Sequence, residues 1–460
     1  MRAALAYPMI KRDAMACNPP LGILYLATSL QKHGHEVAVF DRDGYDGGLQ
    51  ELISRVSDYK PELVGLPLFS GVGSFRDVQV VVKQVREKLP TAHMVLGGPH
   101  ASACPEQTLQ WYPEVDFVLR SEAEHTLCAL AAQLEKNVAR PEVPGLCYRE
   151  GGEIVSIPLG KFTADLDSIP IPDRKFLWEN YRRKLYWRLD RKGVTDYIVT
   201  GRGCPFRCKF CYQLERSTYR LRSPENILQE IMYLASLGTT CIDFEDDIFT
   251  ADKSRCIRVC RMIREAGLRL DLKVRSHVNT VDEELLAELR AAGARTVVFG
   301  IESGSQKILD AMNKKATVER NAEAIRLTKK AALACYADMF IGFPGETLET
   351  MAETERFLAK TKPTAINMQV LVPFPGTAIY AESKANGTLV GDWSIDKPTP
   401  FVNLPWADNR EILWAHQRRI VRRYYSRASV VLEILWRSPS KFKPRTWVAG
   451  IRFMRRVLGI

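Results

Sequence analysis

Short apolar runs alternate with longer amphipathic stretches in the first third of the chain. Five apolar runs are bounded like strands: 2–7, 36–40, 63–68, 94–96 and 117–119. Helical periodicity fills the gaps near 21–33, 47–59, 75–88 and 122–135. Strands that alternate with helices form parallel βαβ units in an open sheet. The pattern therefore predicts an α/β fold that begins with a Rossmann-like, doubly wound parallel sheet over residues 1–137.

A second alternation begins after residue 190. The intervening segment, 138–190, contains the alternating prolines of 165–174, which favour extended chain, and it predicts a connector. Six further apolar runs follow, separated by helical patterns: 197–200, 241–244, 270–274, 296–299, 338–341 and 366–372. Six βα repeats predict a partial (βα)6 barrel of the TIM type over residues 191–385, with its active site at the C-terminal ends of the strands.

Composition and cysteine usage restrict the class of protein. Apolar residues make up 46% and charged residues 26%, which is a globular composition. The chain has no run of eighteen uncharged apolar residues, and its first apolar run ends at Pro8, so neither a transmembrane helix nor a secretory signal is expected. The eleven cysteines are mostly scattered singly, which argues against a disulfide framework. These features predict a cytoplasmic protein.

The positive charge is concentrated at the C-terminal end. The net charge is +11, and residues 401–460 hold thirteen Lys and Arg against three Asp and Glu, so 386–460 is expected to be a basic, mainly helical extension. Apolar residues form a helical stripe between arginines: 413, 414, 420, 421, 424 and 431. A second basic stretch with aromatic residues spans 447–458.

Two interpretations of this extension are open. Basic amphipathic helices with aromatic residues bind anionic membrane surfaces, so 409–460 predicts a peripheral contact with the inner face of the membrane. The alternative is that the apolar stripe packs on the barrel while the arginines are solvated. No nucleic-acid partner is expected, because the sequence contains no recognisable nucleic-acid-binding module.

Three cysteines follow the first strand of the second alternation. Cys204, Cys208 and Cys211 have the spacing C-x3-C-x2-C within one short loop. Three thiolates can hold three irons of a [4Fe–4S] cube and leave the fourth iron open for chemistry. The alternatives are unligated thiols or a zinc ion with a distant fourth ligand. The loop position favours the cluster, because packing does not explain a cysteine-rich exposed loop.

This motif resembles that of the radical S-adenosylmethionine (SAM) superfamily. The likeness continues at the ends of later strands, in the segments 241–250, 299–304 and 341–347. Taken singly, each segment also has an ordinary explanation, such as a helix N-cap or a tight turn. Together they match the superfamily, and the resemblance implies a set of SAM contacts: Phe210, Glu245, Asp246, Arg275, Glu302 and Gly342.

The N-terminal sheet resembles the cobalamin-binding branch of that superfamily. The matching pieces are 18–27, 97–102 and 120–124, with small residues at the strand ends. The resemblance implies that cobalamin is held by a set of residues at these ends: Leu21, Gly22, Ser70, Gly71, Gly98, Pro99, His100, Ser121 and Glu122. The alternative is an empty domain that only packs on the barrel.

One motif of other cobalamin proteins is absent, as it is from many radical SAM members of this branch. The D-x-H-x-x-G motif, which supplies a histidine to cobalt in many cobalamin mutases, does not occur in this sequence. The lower ligand of cobalt is therefore left open, and we expect His100 to contact the corrin or its nucleotide tail instead of cobalt.

Together these resemblances imply a cobalamin-dependent radical SAM enzyme. Such an enzyme cleaves SAM to a 5′-deoxyadenosyl radical, using electrons from an external flavodoxin or ferredoxin, and most often transfers a methyl group to an unactivated carbon of a small molecule. A hydrophobic substrate would fit membrane contact. An oxidative cyclase or rearrangement enzyme of the same architecture is the alternative, and a non-catalytic cobalamin or iron–sulfur sensor is a third class. SAM-binding motifs argue against the sensor.

Overall fold

A computed structural model of the chain describes residues 1–10, 16–183, 185–188, 193–212, 218–397 and 399–437. The described chain divides into two compact units. The first unit takes its residues from three stretches: Met1–Asp13, Pro19–Leu185 and Gly391–Thr399. The second takes its residues from Ala14–Asn18, Tyr186–Val390 and Pro400–Ile460. The first unit is therefore discontinuous in sequence, because a short late segment returns to it.

The first unit contains the expected doubly wound parallel sheet. Its parallel strands are β1 (Arg2–Tyr7), β2 (Glu36–Asp41), β3 (Leu63–Pro67), β4 (His93–Gly97) and β5 (Phe117–Leu119). A hairpin of β6 (Leu146–Glu150) and β7 (Glu153–Ser156) extends the sheet antiparallel to β5. The strand order is β2-β1-β3-β4-β5-β6-β7. The hairpin lies inside the segment expected as a connector, so part of that segment belongs to the sheet.

Helices cover both faces of this sheet. They are α1 (Leu21–Lys32), α2 (Gly48–Asp58), α3 (Val72–Lys88), α4 (Pro99–Ala103), α5 (Pro105–Trp111), α6 (Glu124–Glu135) and α7 (Trp178–Arg182). Residues on both faces of β1 are buried, from Ala3 to Ala6, as expected for a central parallel strand. The chain leaves β1 towards β2 and leaves β3 towards β4 on the opposite side, and ligands of open α/β sheets bind at such a switch point, beyond the strand ends.

The second unit contains the expected partial barrel. Six parallel strands pair in chain order: β8 (Val194–Ile198), β9 (Thr239–Phe244), β10 (Asp271–Ser276), β11 (Ala294–Glu302), β12 (Ala334–Ile341) and β13 (Ala365–Val370). Helices follow these strands: α8 (Pro224–Ser236), α9 (Lys253–Glu265), α10 (Glu283–Ala291), α11 (Gln306–Ala311), α12 (Val318–Lys330), α13 (Leu348–Thr361) and α14 (Ala378–Ala385). Strands β8 and β13 form the two edges, so the barrel is open.

Helix α8 begins as its sequence predicts. Ser223 Oγ accepts a hydrogen bond from the Asn226 N–H at 3.1 Å, and Pro224 is the first helical residue.

Three two-residue antiparallel ladders join loops of the second unit: Ala16–Cys17 with Trp187–Arg188, Gly201–Arg202 with Arg220–Leu221, and Leu389–Val390 with Phe401–Val402.

The two faces of the six-stranded sheet differ in polarity. The face that packs on the helices is apolar, and it buries residues such as Phe244, Phe299 and Met339 in the main core. Side chains alternate between the faces of a strand, so their chain neighbours lie on the opposite face. There Lys273 and Asp243 form a buried ion pair at 3.4 Å. Parallel sheets usually bury two apolar faces, so a charged face marks the side where ligands bind.

Helix α15 (Arg410–Tyr425) covers the edge strand β13. The Tyr425 hydroxyl accepts a hydrogen bond from the Ile366 N–H at 3.0 Å and donates one to the Ile366 carbonyl at 2.8 Å. Gln417 Nε2 donates to the Met368 carbonyl at 2.9 Å. An edge strand otherwise presents a row of unpaired backbone groups. The helix therefore supplies partners to three backbone groups of the sheet edge.

This packing buries part of the apolar stripe that lies between the arginines. Leu413, Ile420 and Tyr424 are buried against the second unit, which is the alternative to membrane contact for these residues. Helix α16 (Ala428–Arg437) follows, and the stretch 447–458 lies outside the described residues. In the described part of the chain, no helix is both long and apolar enough to cross a bilayer. Peripheral membrane contact through 409–460 stays a prediction.

The Tyr425 contact predicts a stability effect. Tyr425→Phe leaves the Ile366 N–H and carbonyl without their partner, which should lower the free energy of unfolding by about 1–3 kcal/mol. Urea denaturation of the full chain measures this change. Arg418→Ala, at an exposed position of the same helix, is the control and should change stability by less than about 0.5 kcal/mol. Equal midpoints for wild type and Tyr425→Phe would contradict the prediction.

Candidate active site

The three cysteines lie in the loop that follows β8. Cys208 is buried, whereas Cys204 and Cys211 are partly exposed. The Cys211 thiol hydrogen-bonds to Cys208, which lowers the pKa of Cys208 and raises the pKa of Cys211. Burial raises the pKa of Cys204 to about 11. The charge of the buried Lys314 acts to lower the pKa of all three thiols, and so favours the thiolate that binds iron.

This donor set fits a [4Fe–4S] cluster better than a single metal ion. Within the described ranges, no three His, Cys, Asp or Glu side chains are grouped so that they could hold a metal ion. In a cubane cluster each thiolate binds a different iron, so three sulfurs on one loop need not converge on a point. The loop offers three thiolates for four irons, which leaves one iron open.

Hydrogen bonds fix the cysteine loop between two other loops of the second unit. The Lys209 N–H donates to the Met312 carbonyl at 3.0 Å, and the Ile379 N–H donates to the Lys209 carbonyl at 3.0 Å. Asn313 Nδ2 donates to the Arg207 carbonyl at 2.7 Å. The loop is therefore held by the segment after α11 and by the start of α14.

Glu302 ends β11 with an unusual backbone conformation and a buried carboxylate. Its φ of +64° lies in the left-handed region, which residues other than glycine rarely adopt. Oε1 accepts a hydrogen bond from Lys314 Nζ at 2.8 Å, whereas Oε2 is buried without a hydrogen-bond partner among the described residues. Burial raises the pKa of Glu302, and Lys314 opposes this shift. A Cβ at Gly300 would clash with both charged groups, so glycine leaves room for the pair.

The free oxygen of Glu302 is the observation that fits SAM. Buried polar atoms almost always have a partner, so an unpaired carboxylate oxygen at the end of a barrel strand indicates a missing ligand. A ribose hydroxyl has the chemistry to donate to it. The contact between Glu302 and SAM stays a prediction.

Asp246 binds the start of the cysteine loop. Its Oδ1 accepts a hydrogen bond from the Thr200 N–H at 2.5 Å, and its Oδ2 accepts one from Thr200 Oγ1 at 2.5 Å. Burial raises the pKa of Asp246 to about 6, while Thr200 and the charge of Arg255 act to lower it. Asp246 thus ties the end of β9 to the end of β8. Its predicted contact with SAM stays a prediction.

A row of polar contacts crosses the charged face from β9 to β13. Arg275 Nε donates to Glu245 Oε2 at 2.9 Å, and Arg275 Nη1 lies 3.5 Å from Asp338 Oδ2. Asn367 Nδ2 donates to Asp338 Oδ1 at 3.1 Å, and Gln369 Nε2 donates to Asn367 Oδ1 at 2.6 Å. The structure therefore brings together two predicted SAM residues, Glu245 and Arg275, and continues the row with hydrogen-bonding groups for a ligand.

Gly342 begins a tight turn after β12. Its φ of +94° suits glycine, and its N–H donates to Glu346 Oε2 at 2.5 Å. Burial raises the pKa of Glu346 to about 7, and the Trp406 indole N–H donates to the Glu346 carbonyl at 2.7 Å. Phe210 of the cysteine loop packs edge-on against Phe340 of β12, with ring centroids 5.0 Å apart. The end of β12 therefore contacts the cysteine loop.

The residues predicted to bind cobalamin lie beyond the C-terminal ends of the first sheet's parallel strands. They are Leu21, Gly22, Ser70, Gly71, Gly98, Pro99, His100, Ser121 and Glu122. Space is open at Gly22, Gly71 and Gly73, because a Cβ added at any of them would meet nothing within 4 Å. Glycines at helix starts let a large planar ring approach the backbone. This edge therefore fits a corrin, and the individual contacts stay predictions.

Two residues of this edge have positive φ angles. Gly98 has φ +92°, and a Cβ there would lie 3.1 Å from the Leu68 carbonyl oxygen, so glycine is required for the close approach. Ser121 has φ +71°, and its N–H donates to Ser102 Oγ at 2.9 Å. Its own Oγ is buried without a hydrogen-bond partner in the described residues. This hydroxyl is a second group for which a ligand would supply the partner.

His100 lies in an enclosure of aromatic rings. It stacks on Trp111 with ring centroids 5.4 Å apart, and it contacts Phe75 and Trp393 at 4.6 and 6.0 Å. Its Nδ1 lies 2.9 Å from Ser70 Oγ. Burial lowers the pKa of His100 to about 4, so the ring is neutral near pH 7. His100 Nε2 is buried without a hydrogen-bond partner among the described residues, so it is the polar atom of this pair for which a ligand would supply a partner.

Sequence reasoning missed several polar residues of these sites. Asp338, Asn367 and Gln369 alternate with buried apolar residues along β12 and β13, and that period of two was a usable signal. No such signal marked Lys314, because a lysine next to Lys315 in a loop is expected to be solvated. Trp393 could not be assigned to the first unit from its position in the sequence.

Comparison with known protein families agrees with both units. A family model described as the radical SAM superfamily matches residues 198–358, and one described as a B12 binding domain matches residues 10–131. Over 386 residues the chain is 31% identical to an uncharacterized methyltransferase of Pyrococcus horikoshii, and the match covers 83% of this chain and 82% of that protein.

A second relative and a solved structure extend the comparison. The chain is 32% identical over 376 residues to an anaerobic magnesium-protoporphyrin IX monomethyl ester cyclase of Cereibacter sphaeroides, covering 79% of this chain and 60% of that protein. The methyltransferase TsrM from Kitasatospora setae, solved with cobalamin and a [4Fe–4S] cluster, superposes with a TM-score of 0.77 at 19% identity. That match covers 92% of this chain and 88% of TsrM, and it shows the fold.

The buried histidine predicts a pH dependence of stability. The pKa of His100 is about 4 in the folded chain against 6.5 for a free histidine, so the unfolded state binds more protons between these values. Stability should therefore be lost as pH falls from 6.5 to 4. Calorimetry should show a larger fall of the thermal midpoint for wild type than for His100→Gln over this range. Equal falls would show that His100 is not buried in its neutral form.

Proposed function

Since the chain belongs to the cobalamin-binding branch of the radical SAM superfamily, we propose that it is a methyltransferase that acts on an unactivated carbon of a small molecule. The observation that carries the proposal is that the second unit combines a three-cysteine loop with a carboxylate oxygen of Glu302 that is buried without a partner among the described residues. In the first unit, glycines leave open space at the sheet edge where the switch point lies.

Each part of the chain has a defined task in this reaction. When bound, the cluster and cobalamin supply the reductive cleavage of SAM and the transfer of a methyl group. Cys204, Cys208 and Cys211 hold the cluster, and the hydrogen bonds from Asn313 and to Met312 keep their loop in place. Tight positioning of reacting groups is what such a site contributes to rate.

The charged face holds and orients SAM and the substrate. Glu302 offers Oε2 to a sugar hydroxyl, and Arg275 is kept in position by Glu245 on one side and Asp338 on the other. These two acids raise the pKa of Arg275 against the effect of burial, so the guanidinium stays charged. A fixed cation beside fixed carboxylates suits the carboxylate and ammonium ends of an amino acid such as the methionine part of SAM.

Methyl transfer is preferred over cyclisation for one reason. The match to the methyltransferase of Pyrococcus horikoshii spans 82% of that protein, whereas the match to the cyclase of Cereibacter sphaeroides spans 60% of it. Oxidative cyclisation is the second candidate, because the chain is 32% identical to the cyclase, which is about as similar as it is to the methyltransferase.

The reaction products distinguish these candidates. We expect the reduced protein, reconstituted with iron, sulfide and hydroxocobalamin and incubated with SAM, to form 5′-deoxyadenosine and S-adenosylhomocysteine. The second product reports use of SAM as a methyl donor. Anaerobic incubation with titanium(III) citrate, followed by chromatography and mass spectrometry, measures both. Formation of 5′-deoxyadenosine alone would favour the cyclase.

The control for this assay removes the cluster. Replacing Cys204, Cys208 and Cys211 together by alanine should abolish the brown absorbance and the formation of 5′-deoxyadenosine. Iron content that survives the triple change would refute the assignment of these cysteines.

Cobalamin binding has its own test in the first unit. Gly22→Leu should be accepted by the fold, because the space at Gly22 is open and leucine favours helix, but its side chain would occupy the proposed corrin position. We expect at least a tenfold weaker affinity for hydroxocobalamin, measured by equilibrium dialysis of the full chain. Gln31→Leu, exposed at the opposite end of α1, is the matched control and should bind like wild type. Equal affinity of both variants would argue against a corrin at this edge.

The cellular setting is proposed on the same basis. An external flavodoxin or ferredoxin supplies the electrons, since the described chain contains no second cysteine group of this kind. A cytoplasmic enzyme fits the absence of disulfides among the described cysteines. Contact with the inner face of the membrane would depend on basic residues left exposed by α15, and co-sedimentation with anionic liposomes at low and high salt tests it.

A further inference from the structure

Lys314 is a buried lysine in the loop between α11 and α12. Its side chain is 8% exposed, and its Nζ forms an ion pair with Glu302 Oε1 at 2.8 Å. The same Nζ lies 5.9 Å from the centre of the Phe210 ring, in the range of cation–π attraction. A lysine is almost never fully buried unless it is paired, so this position requires Glu302. Glu302 raises the pKa of Lys314, although burial alone would lower it, so the ammonium remains charged.

The backbone around Lys314 directs the side chain inward. Asn313 and Lys315, on either side, have φ angles of +55° and +57°, in the left-handed region that asparagine tolerates but that is costly for lysine. His277 Nε2 contacts the Lys314 carbonyl at 3.2 Å, and Asn279 Nδ2 donates to the Lys315 carbonyl at 2.6 Å. The strained conformation at Lys315 persists only where the surroundings hold it, and here the loop after β10 holds it.

His277, which contacts the Lys314 carbonyl, adds no second positive charge beside the lysine. His277 stacks on Phe206 of the cysteine loop, with ring centroids 3.8 Å apart. Burial and then the charge of Lys314 lower the pKa of His277 to about 3, so the ring is neutral. Its Nδ1 accepts a hydrogen bond from the Asn279 N–H at 3.2 Å, which leaves Nε2 as the N–H that faces Lys314. The ring packs the loop without adding charge.

Lys314 also acts on the cysteine loop. Its ammonium lies 5.9 Å from the ring centre of Phe210, which directly precedes Cys211, and Asn313 next to it donates to the carbonyl of Arg207, which directly precedes Cys208. One short segment thus contacts the cysteine loop through its backbone neighbours and the carboxylate of Glu302 through its side chain. A cation near a cluster stabilises the added electron of the reduced form, because the low dielectric of the interior weakens screening.

We propose that Lys314 is a positioning residue with two effects: it holds Glu302 with Oε2 free for SAM, and it raises the reduction potential of the cluster. This inference rests on the proposed function, since it takes the cysteines as cluster ligands. Lys314 and Glu302 then act on the cluster with opposite signs. Removing the lysine charge should make the cluster harder to reduce, and removing the carboxylate charge should make it easier to reduce.

The test uses the full chain with its cluster reconstituted. The midpoint potential is measured without SAM, by redox titration followed by electron paramagnetic resonance, for wild type, Lys314→Met, Lys314→Arg and Glu302→Gln. We expect a more negative potential for Lys314→Met, a more positive one for Glu302→Gln and a value near wild type for Lys314→Arg. SAM affinity, measured by equilibrium dialysis, should fall at least tenfold in Lys314→Met and in Glu302→Gln.

A neighbouring lysine provides the control. Lys315→Met removes the same charge at an exposed position one residue away, where solvent screens it, and should leave potential and SAM affinity unchanged. Shifts of the same sign in Lys314→Met and Glu302→Gln, or no shift in either at wild-type iron content, would overturn the inference. If Lys314→Met holds no cluster, Glu302→Gln and Lys314→Arg still decide the sign. A wild-type chain that binds neither iron nor SAM would refute the proposed function instead.

Discussion

Parallel strands all end at the same edge of a sheet, and this constraint governs where both units can gather polar residues. In the first unit it places the helix starts that contain glycines and the Ser70–His100 pair at the same edge. In the second unit it places the cysteine loop, Glu302 and the turn at Gly342 at the ends of successive strands. The sheet brings distant segments together at each site, so residues close in sequence, such as the three cysteines, lie beside residues far away in the chain.

The charged face of the six-stranded sheet is compatible with a stable fold because its charges are paired. Lys273 lies opposite Asp243, and Lys314 lies opposite Glu302, so the buried lysines are matched by acids. Removing one member of such a pair leaves an uncompensated charge and is strongly destabilising. The opposite face carries the large apolar core and provides the stability. The sheet thus separates the residues that stabilise it from those that can bind ligands.

The sequence predicted the architecture well, because periodicity reports which residues face a core. The five parallel strands of the first sheet and the six of the second are confirmed, with ends shifted by a few residues, such as a first barrel strand that ends at Ile198. It could not predict contacts that depend on folding at long range. The β6–β7 hairpin, the buried state of Lys314 and the pairing of Tyr425 with Ile366 depend on partners distant in the chain. For α15, periodicity alone could not distinguish a membrane surface from a strand edge.

The return of Gly391–Thr399 to the first unit affects how the chain can be made. Trp393 helps to enclose His100, yet about two hundred residues of the second unit separate it from the rest of the first. Domains generally fold as units during synthesis, starting from the N-terminus. Here the N-terminal unit leaves the ribosome incomplete, with the ring of His100 uncovered on one side. It can close only after the whole six-stranded sheet has been translated, so the order of synthesis makes the barrel precede the completed first unit.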